Sequence, residues 1–184
     1  DGVRDVANKG LMTPELALRL GRSYVLFLTE RGIPRPRVVV GRDTRRSGVM
    51  IEAAVIAGMM SAGAHVLTAG VIPTPGVSFL VRHHSANGGC IISASHNPAE
   101  YNGIKFLDGD GCKLADDSEA SIEEYLGDNL IDDWRPTGAS IGVSEDVSSG
   151  GTDYARWIMT LLHDRDLPGK AVVVDCANGA AASV

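Results

Sequence analysis

The sequence has few cysteines and too few basic residues to give it a positive charge. Its 184 residues include 17 Lys and Arg against 23 Asp and Glu, a formal net charge of −6 at pH 7. Nucleic acids and anionic membrane surfaces are bound by a basic field that this composition lacks, so neither is expected as a partner. Cys90, Cys112 and Cys176 are odd in number, widely spaced and without a Cys-x-x-Cys pair. This pattern favours free thiols in a cytoplasmic protein over a disulfide or zinc framework.

Long apolar runs are also missing. No run reaches the length of a membrane-spanning helix, and the first residues, which begin at Asp1 without Met, lack the apolar core of a signal peptide. We therefore expect that residues upstream of Asp1 are missing. With 44% hydrophobic residues, the chain is long enough for one complete domain and the start of a second.

Helical and extended patterns alternate along the first half of the chain. Thr13-Pro14-Glu15 is typical of a helix start, and apolar residues then recur at three- and four-residue steps until Arg31-Gly32. Further elements are expected as buried strands at 38–40, 65–68 and 90–92 and as helices over 48–63 and from Thr74. This order predicts an α/β fold, in which helices cover both faces of a mixed, mostly parallel sheet.

The second half of the chain predicts a domain boundary. Its expected elements are a hairpin turn at Asn102-Gly103, a strand at 104–106, a glycine-rich turn at 108–111, helices at 118–126 and 154–162, and a buried strand at 171–175. The polar residues 137–151 separate these elements into two groups. We therefore predict a domain at 1–149 and the truncated start of a second, similar domain at 150–184.

One unit recurs in the sequence. A helix, a proline, a basic residue and Val-Val-Val follow one another both at 28–40 and at 161–174. Duplicated α/β domains give such a recurrence, and so does convergence between unrelated helix–loop–strand units. The sequence leaves both explanations open.

Ser95 lies where the strand at 90–92 opens into a loop, at the sheet edge where open α/β proteins bind ligands. Asn97-Pro98 favours a sharp turn, and the short side chain of Ser93 allows backbone N–H groups to approach an anion such as phosphate. The same residues also suit an ordinary Asn-Pro turn. A serine hydrolase is a third alternative. It is disfavoured because no Gly-x-Ser-x-Gly motif surrounds Ser95 and because adjacent side chains, here Ser95 and His96, point apart in extended backbone.

Three other groups of residues are weaker candidates. Residues 41–48 link a strand to a helix start, a geometry suited to binding an anion. Their glycine spacing fits neither a Walker loop nor a dinucleotide fingerprint, so an Arg–Asp scaffold is the alternative. Residues 108–111 lack the EF-hand pattern, since Lys113 occupies the place of its glycine, so a turn is expected there. Ordinary packing or surface roles are expected for His83, His84, His163, Trp134 and Trp157.

Two motifs carry a family resemblance. Ser93-Ala94-Ser95-His96-Asn97-Pro98 and Asn102-Gly103-Ile104-Lys105-Phe106 resemble the active-serine signature of the α-D-phosphohexomutases and stand at that family's spacing. The opening Asp1-Gly2-Val3-Arg4, residues 40–48 and Asp175-Cys176-Ala177-Asn178-Gly179 are similar to further motifs of the family. The resemblance covers nearly the whole chain, and within the family it is greatest to the bacterial phosphoglucosamine mutases.

The resemblance implies an intramolecular phosphotransferase. It would move phosphate between O6 and O1 of a hexose phosphate, most simply glucosamine 6-phosphate to glucosamine 1-phosphate, through a phosphoserine at Ser95 and a bisphosphate intermediate. By resemblance, Arg4, His96 and Lys105 join Ser95 as catalytic residues, and Arg4, Asn97 and Lys105 bind phosphate or substrate. A phosphomannomutase, a phosphoglucomutase and a non-catalytic phosphosugar-binding fragment are the alternatives.

The resemblance also implies Mg²⁺ as cofactor. Ser95 would contact the ion through its phosphate, and the remaining ligands would lie in an aspartate-rich loop outside this sequence. Strand alternation is expected to turn Lys105 away from the face of Ile104 and Phe106, and the turn at Asn102-Gly103 is expected to return it toward the serine loop, where it can act as general acid or base. One departure from the family is Asp5, which replaces the usual glycine of the opening motif. We expect its carboxylate to stand beside the phosphate region and to weaken anion binding there.

Overall fold

The computed structural model describes residues 2–127, 130–161 and 169–184, which include six strands. The strands are β1 (Val3–Val6), β2 (Arg37–Arg42), β3 (His65–Val71), β4 (Gly88–Ile92), β5 (Tyr101–Leu107) and β6 (Val143–Asp146). They form one sheet in the order β1-β5-β4-β2-β3-β6. The pairs β4–β2, β2–β3 and β3–β6 are parallel, whereas β5 is antiparallel to both β4 and β1.

Helices cover both faces of this sheet. They are α1 (Pro14–Glu30), α2 (Gly48–Ser61), α3 (Thr74–His83), α4 (Asp116–Gly127), α5 (Leu130–Asp133) and α6 (Gly150–Leu161). Helices α1, α2 and α4 pack on one face, and α3 and α6 pack on the other. The predicted α/β fold with a mixed, mostly parallel sheet is confirmed. In the part of the chain that the structure describes, no helix combines the length and apolar character needed to cross a membrane.

Alternate residues of β2 enter opposite layers of the core. Val38 and Val40 lie in the layer of α1 and α2, whereas Val39 lies in the layer of α3. All three side chains are fully buried. A strand that is covered on both faces needs apolar residues at every position, which explains the continuous valine run in the sequence.

Tyr24 of α1 connects its helix to the sheet. Its hydroxyl donates a hydrogen bond of 2.6 Å to the backbone oxygen of Leu107 on β5, and its ring stacks on Phe106 with the centroids 4.2 Å apart. Complete burial raises the pKa of the Tyr24 hydroxyl, so the group remains a hydrogen-bond donor. Gly88 leaves room for it, because a Cβ at residue 88 would lie 1.8 Å from the hydroxyl oxygen.

The predicted hairpin turn at Asn102-Gly103 is wrong. Both residues lie within β5, where Gly103 pairs with Arg4 of β1. The Asn102 side chain is fully buried: its Oδ1 accepts the N–H of Gly103 at 2.8 Å, and its Nδ2 donates to Ser47 Oγ at 3.0 Å. A Cβ on Gly103 would lie 2.8 Å from the backbone oxygen of Ser93. Close backbone approach therefore accounts for this glycine, which adopts no turn conformation.

The glycine-rich turn at 108–111 is confirmed. The Asp108 N–H donates to the backbone oxygen of Cys112 at 2.9 Å, and the Asp108 carboxylate accepts the N–H groups of Asp110 and Cys112. Gly111 has a φ of 74°, a conformation that favours glycine. The Asp108 carboxylate thus closes a turn.

The polar segment 137–151 contains an element that was not predicted. Strand β6 lies inside this segment and pairs in parallel with β3. The part of the segment that forms β6 therefore belongs to the sheet. All four residues of β6 are exposed. An exposed edge strand has no buried face, so it carries no apolar alternation by which the sequence could reveal it.

The last part of the chain also departs from prediction. Helix α6 begins earlier than the predicted residue 154, and residue 162 and His163 lie outside the described residues. The buried strand predicted at 171–175 is wrong: these residues have no strand structure, and Val173 is 97% exposed. A β-branched run needs a neighbouring strand to satisfy its backbone, and within the described ranges none pairs with it. The division of the chain at 149/150 stays a prediction.

Packing roles are confirmed for both tryptophans. Trp157 of α6 stacks on Phe79 of α3 with the ring centroids 5.1 Å apart. The indole N–H of Trp134 donates to the backbone oxygen of Ala62 at 3.3 Å. His83 also stacks on Phe79, at 5.2 Å. These rings join helices to their neighbours.

The Tyr24 hydrogen bond gives a testable stability difference. Tyr24→Phe removes a fully buried hydroxyl bond between α1 and β5, so we expect the free energy of unfolding to fall by about 1 kcal/mol. Urea denaturation measures this change. The matched control is Tyr125→Phe, which removes a hydroxyl bond to Glu30 at the surface and should cost less. Equal losses in the two variants would contradict the role assigned to Tyr24.

Candidate active site

The loop that follows β4 lies at the sheet edge where β2 and β4 end. Ser95 lies in this loop and lines two pockets. The larger pocket, of about 710 Å³, is shared with His96 and with residues 177–181. The smaller, of about 310 Å³, is also lined by Arg4 and Lys105. The serine is therefore open to ligands at the strand end, as its place in the sequence predicts.

Ser95 has an unusual backbone conformation. Its φ of 57° lies in the left-handed region, which residues other than glycine adopt at a cost. Its N–H donates to Ser93 Oγ at 3.0 Å, and its Oγ lies 3.4 Å from His96 Nδ1. The expectation that the Ser95 and His96 side chains point apart is wrong, because it assumed extended backbone. At 3.4 Å the contact is nevertheless long for an O–H···N hydrogen bond and does not form a hydrolase dyad.

The guanidinium of Arg45 contacts the backbone of this loop. The acceptors of its hydrogen bonds are Asp43 Oδ2 (2.9 Å) and the backbone oxygens of Pro98 (2.6 Å), Tyr101 (3.1 Å), Ser95 (2.8 Å) and Asn97 (2.9 Å). The Arg45 side chain is only 10% exposed. Of the two interpretations of residues 41–48, the structure supports the Arg–Asp scaffold.

Asp43 links the arginine to the start of the loop. Its Oδ2 accepts both Arg45 Nε and, at 2.7 Å, the hydroxyl of Ser93, while its Oδ1 accepts the Arg45 backbone N–H at 3.0 Å. The Ser93 N–H in turn donates to the backbone oxygen of Gly103 at 3.0 Å. The loop is thus fixed to β5 on one side and to the end of β2 on the other.

Arg4 and Lys105 bring two positive charges to the smaller pocket. They lie on the antiparallel strands β1 and β5, and Arg4 Nη1 donates to Asn97 Oδ1 at 3.3 Å. Ile104 and Phe106 belong to the core layer of α1, whereas Lys105 lies outside that layer and lines the pocket, to which Ile104 also contributes. The alternation predicted for Lys105 is confirmed. The structure therefore gathers Ser95, Arg4 and Lys105 at one pocket, as the sequence motifs led us to expect.

Asp5 does not stand beside the serine, contrary to expectation. Its carboxylate accepts the backbone N–H groups of Val6 at 2.7 Å and of Leu11 at 2.9 Å. The N–H of Leu11, and then that of Val6, lowers the pKa of this carboxyl group. Asp5 lines neither pocket and instead closes the turn after β1. The Asp5 carboxylate also requires a glycine at residue 10, because a Cβ there would lie 2.1 Å from Asp5 Oδ2.

The described residues do not provide a metal site on their own. Among them, no group of three or more His, Cys, Asp or Glu side chains is placed to hold a metal ion. Asp108 belongs to the acidic, glycine-rich run that was compared with an EF-hand loop, and its carboxylate closes a turn. The three cysteines are free thiols, with Cys90 buried and the other two exposed.

Sequence reasoning missed the network of Arg45, Asp43 and Ser93. The available signal was the alternation Asp43-Thr44-Arg45 at the end of a predicted strand, beside a serine loop at the end of another. Strand ends of a parallel sheet meet at one edge, which brings such residues together. The sequence does not show which arginine faces the loop, because Arg42, Arg45 and Arg46 share the segment.

Comparison with known proteins agrees with this geometry. A family model described as phosphoglucomutase/phosphomannomutase, alpha/beta/alpha domain I, matches residues 1–132. The chain is 51% identical to a phosphoglucosamine mutase of Oceanobacillus iheyensis and 47% identical to one of Bacillus mycoides. Both matches cover 100% of this chain and 40% of the relative. The chain thus spans about 40% of the length of these curated relatives.

Solved structures share the fold. A putative phosphomannomutase from Thermus thermophilus is 32% identical with a TM-score of 0.72, covering 91% of this chain and 35% of that one. A phosphoglucomutase/phosphomannomutase family protein from Burkholderia thailandensis, 24% identical over the same shares of the two chains, has a TM-score of 0.71. With the match to the domain I model over most of its length, the chain belongs to the phosphoglucomutase/phosphomannomutase family.

Proposed function

We propose that this chain is the serine-bearing part of a phosphohexose mutase, an intramolecular phosphotransferase that moves phosphate between O6 and O1 of a hexose phosphate. The observation that carries the proposal is that Ser95, Arg4 and Lys105 line the same pocket. The reaction would pass through a phosphoserine at Ser95 and a hexose bisphosphate. The substrate would be glucosamine 6-phosphate and the product glucosamine 1-phosphate, which the names of the relatives from Oceanobacillus and Bacillus support.

The proposed transfer takes place in two steps that regenerate the phosphoserine at Ser95. In the first step, the bond between phosphorus and Ser95 Oγ breaks and a bond from phosphorus to the free sugar oxygen forms, while the Lys105 ammonium gives a proton to the departing Oγ and takes up the proton of the sugar hydroxyl. In the second step, after the bisphosphate has reoriented, the bond between phosphorus and the other sugar oxygen breaks and Ser95 Oγ receives the phosphoryl group, while Lys105 protonates that sugar oxygen and takes up the Ser95 hydroxyl proton. Ser95 ends the cycle phosphorylated, so it is both donor and acceptor.

Charge neutralisation is the main demand of this chemistry. A phosphoryl group in transfer carries negative charge on three equatorial oxygens, and catalysis depends on positioning it and stabilising that charge. Arg4 and Lys105 supply cations to the pocket of a chain whose net charge is −6. Asn97 holds Arg4 through its side-chain oxygen. In this proposal, His96 hydrogen-bonds the phosphoserine or the substrate.

The proposal includes Mg²⁺, which when bound would neutralise phosphate charge. By the family resemblance, its ligands other than the Ser95 phosphate would lie in an aspartate-rich loop outside this sequence, and among the described residues no cluster of carboxylates is placed to hold it. No step above is routed through the ion.

The remaining parts of the proposal concern the whole protein. The division into a domain at 1–149 and the start of a second domain at 150–184 is part of it, as are a small-molecule phosphosugar partner and a cytoplasmic location. Three free cysteines support the location, and a pocket with two cationic residues supports the partner. Neither nucleic acid nor a membrane is a proposed partner.

Ser95 is the first residue to test, in the complete protein that carries this chain. We expect peptide mass spectrometry to find phosphate on Ser95, and Ser95→Ala to abolish interconversion of glucosamine 6-phosphate and glucosamine 1-phosphate, because the phosphoryl acceptor is gone. Ser121→Ala, on the exposed side of α4, is the control and should keep full turnover. Substantial turnover by the Ser95→Ala variant would overturn the proposal.

Lys105→Arg separates charge from proton transfer. Arginine keeps the positive charge but does not release its proton, so the loss of general acid and base should lower kcat by about 10²- to 10⁴-fold. KM should change little, because the cation that binds phosphate remains. Steady-state kinetics at saturating substrate measure both values. A variant with unchanged kcat would exclude Lys105 as the proton-transfer group and leave it a phosphate ligand.

A further inference from the structure

The guanidinium of Arg45 is fully used by the protein itself. Each of its five N–H groups donates a hydrogen bond, one to Asp43 and four to backbone oxygens of residues 95–101. Arginine has five donors and no acceptor, so none remains for a ligand. Arg4 differs, because its side chain is exposed and contacts Asn97 at 3.3 Å. Arg45 therefore has a different role from the cations that line the smaller pocket.

We infer that Arg45 is a positioning residue, which together with Asp43 and Ser93 sets the loop conformation in which Ser95 presents its hydroxyl to the pocket. This inference rests on the phosphotransfer function proposed above. We call the three side chains the Arg45 clamp. Arg45 lines the larger pocket, but its hydrogen bond with Ser95 is to the backbone oxygen and not to Oγ, so it acts on this residue through the backbone.

The conformation of Ser95 is the link between the clamp and the hydroxyl. A φ of 57° is unfavourable for serine and persists only where surrounding contacts impose it. The clamp supplies such contacts on both sides of the residue: Arg45 Nη2 holds the Ser95 oxygen at 2.8 Å, and Ser93 Oγ holds the Ser95 N–H at 3.0 Å. Return to a right-handed or extended φ would break at least one of these bonds. The Oγ would then move relative to the pocket.

The shape of the guanidinium is essential to this role. Its planar fork reaches the oxygens of Ser95 and Asn97 with one nitrogen and those of Pro98 and Tyr101 with another. A lysine ammonium has three donors on one atom and cannot bridge both pairs. Arg45→Lys therefore keeps the charge beside Asp43 but releases part of the loop.

The test compares Arg45→Lys with Arg22→Lys in the complete protein. Arg22 of α1 is the matched control, since its side chain is 9% exposed, donates to Ser61 Oγ and pairs with Asp132. It lines neither of the pockets that Ser95 lines. Both variants should lose thermal stability. Arg45→Lys alone should lower kcat by about 100-fold, the scale expected for a misplaced reacting group, with KM nearly unchanged. Hydrogen–deuterium exchange at the amides of residues 95–97 and 99 should also be several-fold faster in Arg45→Lys alone.

Ser93→Ala covers the case in which Arg45→Lys does not fold. It deletes the hydroxyl between Asp43 and the Ser95 N–H and should reproduce the loss of kcat and the faster exchange in weaker form. Two results would overturn the inference: a kcat loss in Arg45→Lys no greater than in Arg22→Lys, or a raised KM with kcat unchanged. If the unmodified protein has no mutase activity, the proposed function fails, and unchanged exchange at residues 95–97 and 99 would separately refute the clamp.

Discussion

Backbone oxygens of three residues in the loop after β4 and of Tyr101, the first residue of β5, converge on a single arginine, and the arrangement of the site depends on this convergence. Arg45 binds the backbone oxygen of Ser95, a residue that also lines the smaller pocket. Asp43 fixes the arginine and, through Ser93, also fixes the start of the loop. A buried ion pair whose hydrogen bonds are satisfied favours one geometry over others of similar compactness.

The sheet topology places the cations. Strand β4 has a parallel partner on one side, β2, which supplies Asp43 and Arg45 just beyond its end, and an antiparallel partner on the other, β5, which carries Lys105. Strand β1 continues the antiparallel side with Arg4. Because β4 pairs in parallel with β2 and antiparallel with β5, residues just after the end of β2 and residues within β5 and β1 come together near Ser95. In the proposed function, this arrangement gives an acidic chain a local site for phosphate.

The layered fold and the place of Ser95 could be predicted from local patterns: the buried valine run of β2, the cap at Thr13, and a serine at the end of an apolar strand. The pocket residues Arg4 and Lys105 were expected from the family resemblance. Elements defined by tertiary contact could not. Asn102-Gly103 has the composition of a turn, yet its buried amide and its close approach to Ser93 place it inside a strand. The role of Arg45 likewise depends on backbone oxygens, which have no signature in the sequence.

The central claim is that Ser95 carries the phosphoryl group that is transferred. A single-turnover experiment tests it most directly: complete protein labelled with ³²P on Ser95 is mixed with unlabelled hexose monophosphate and quenched on the time scale of one turnover. We expect the label to leave the protein and to appear in hexose bisphosphate at a rate no slower than kcat. Label that stays on Ser95 while mutase turnover proceeds would contradict the claim.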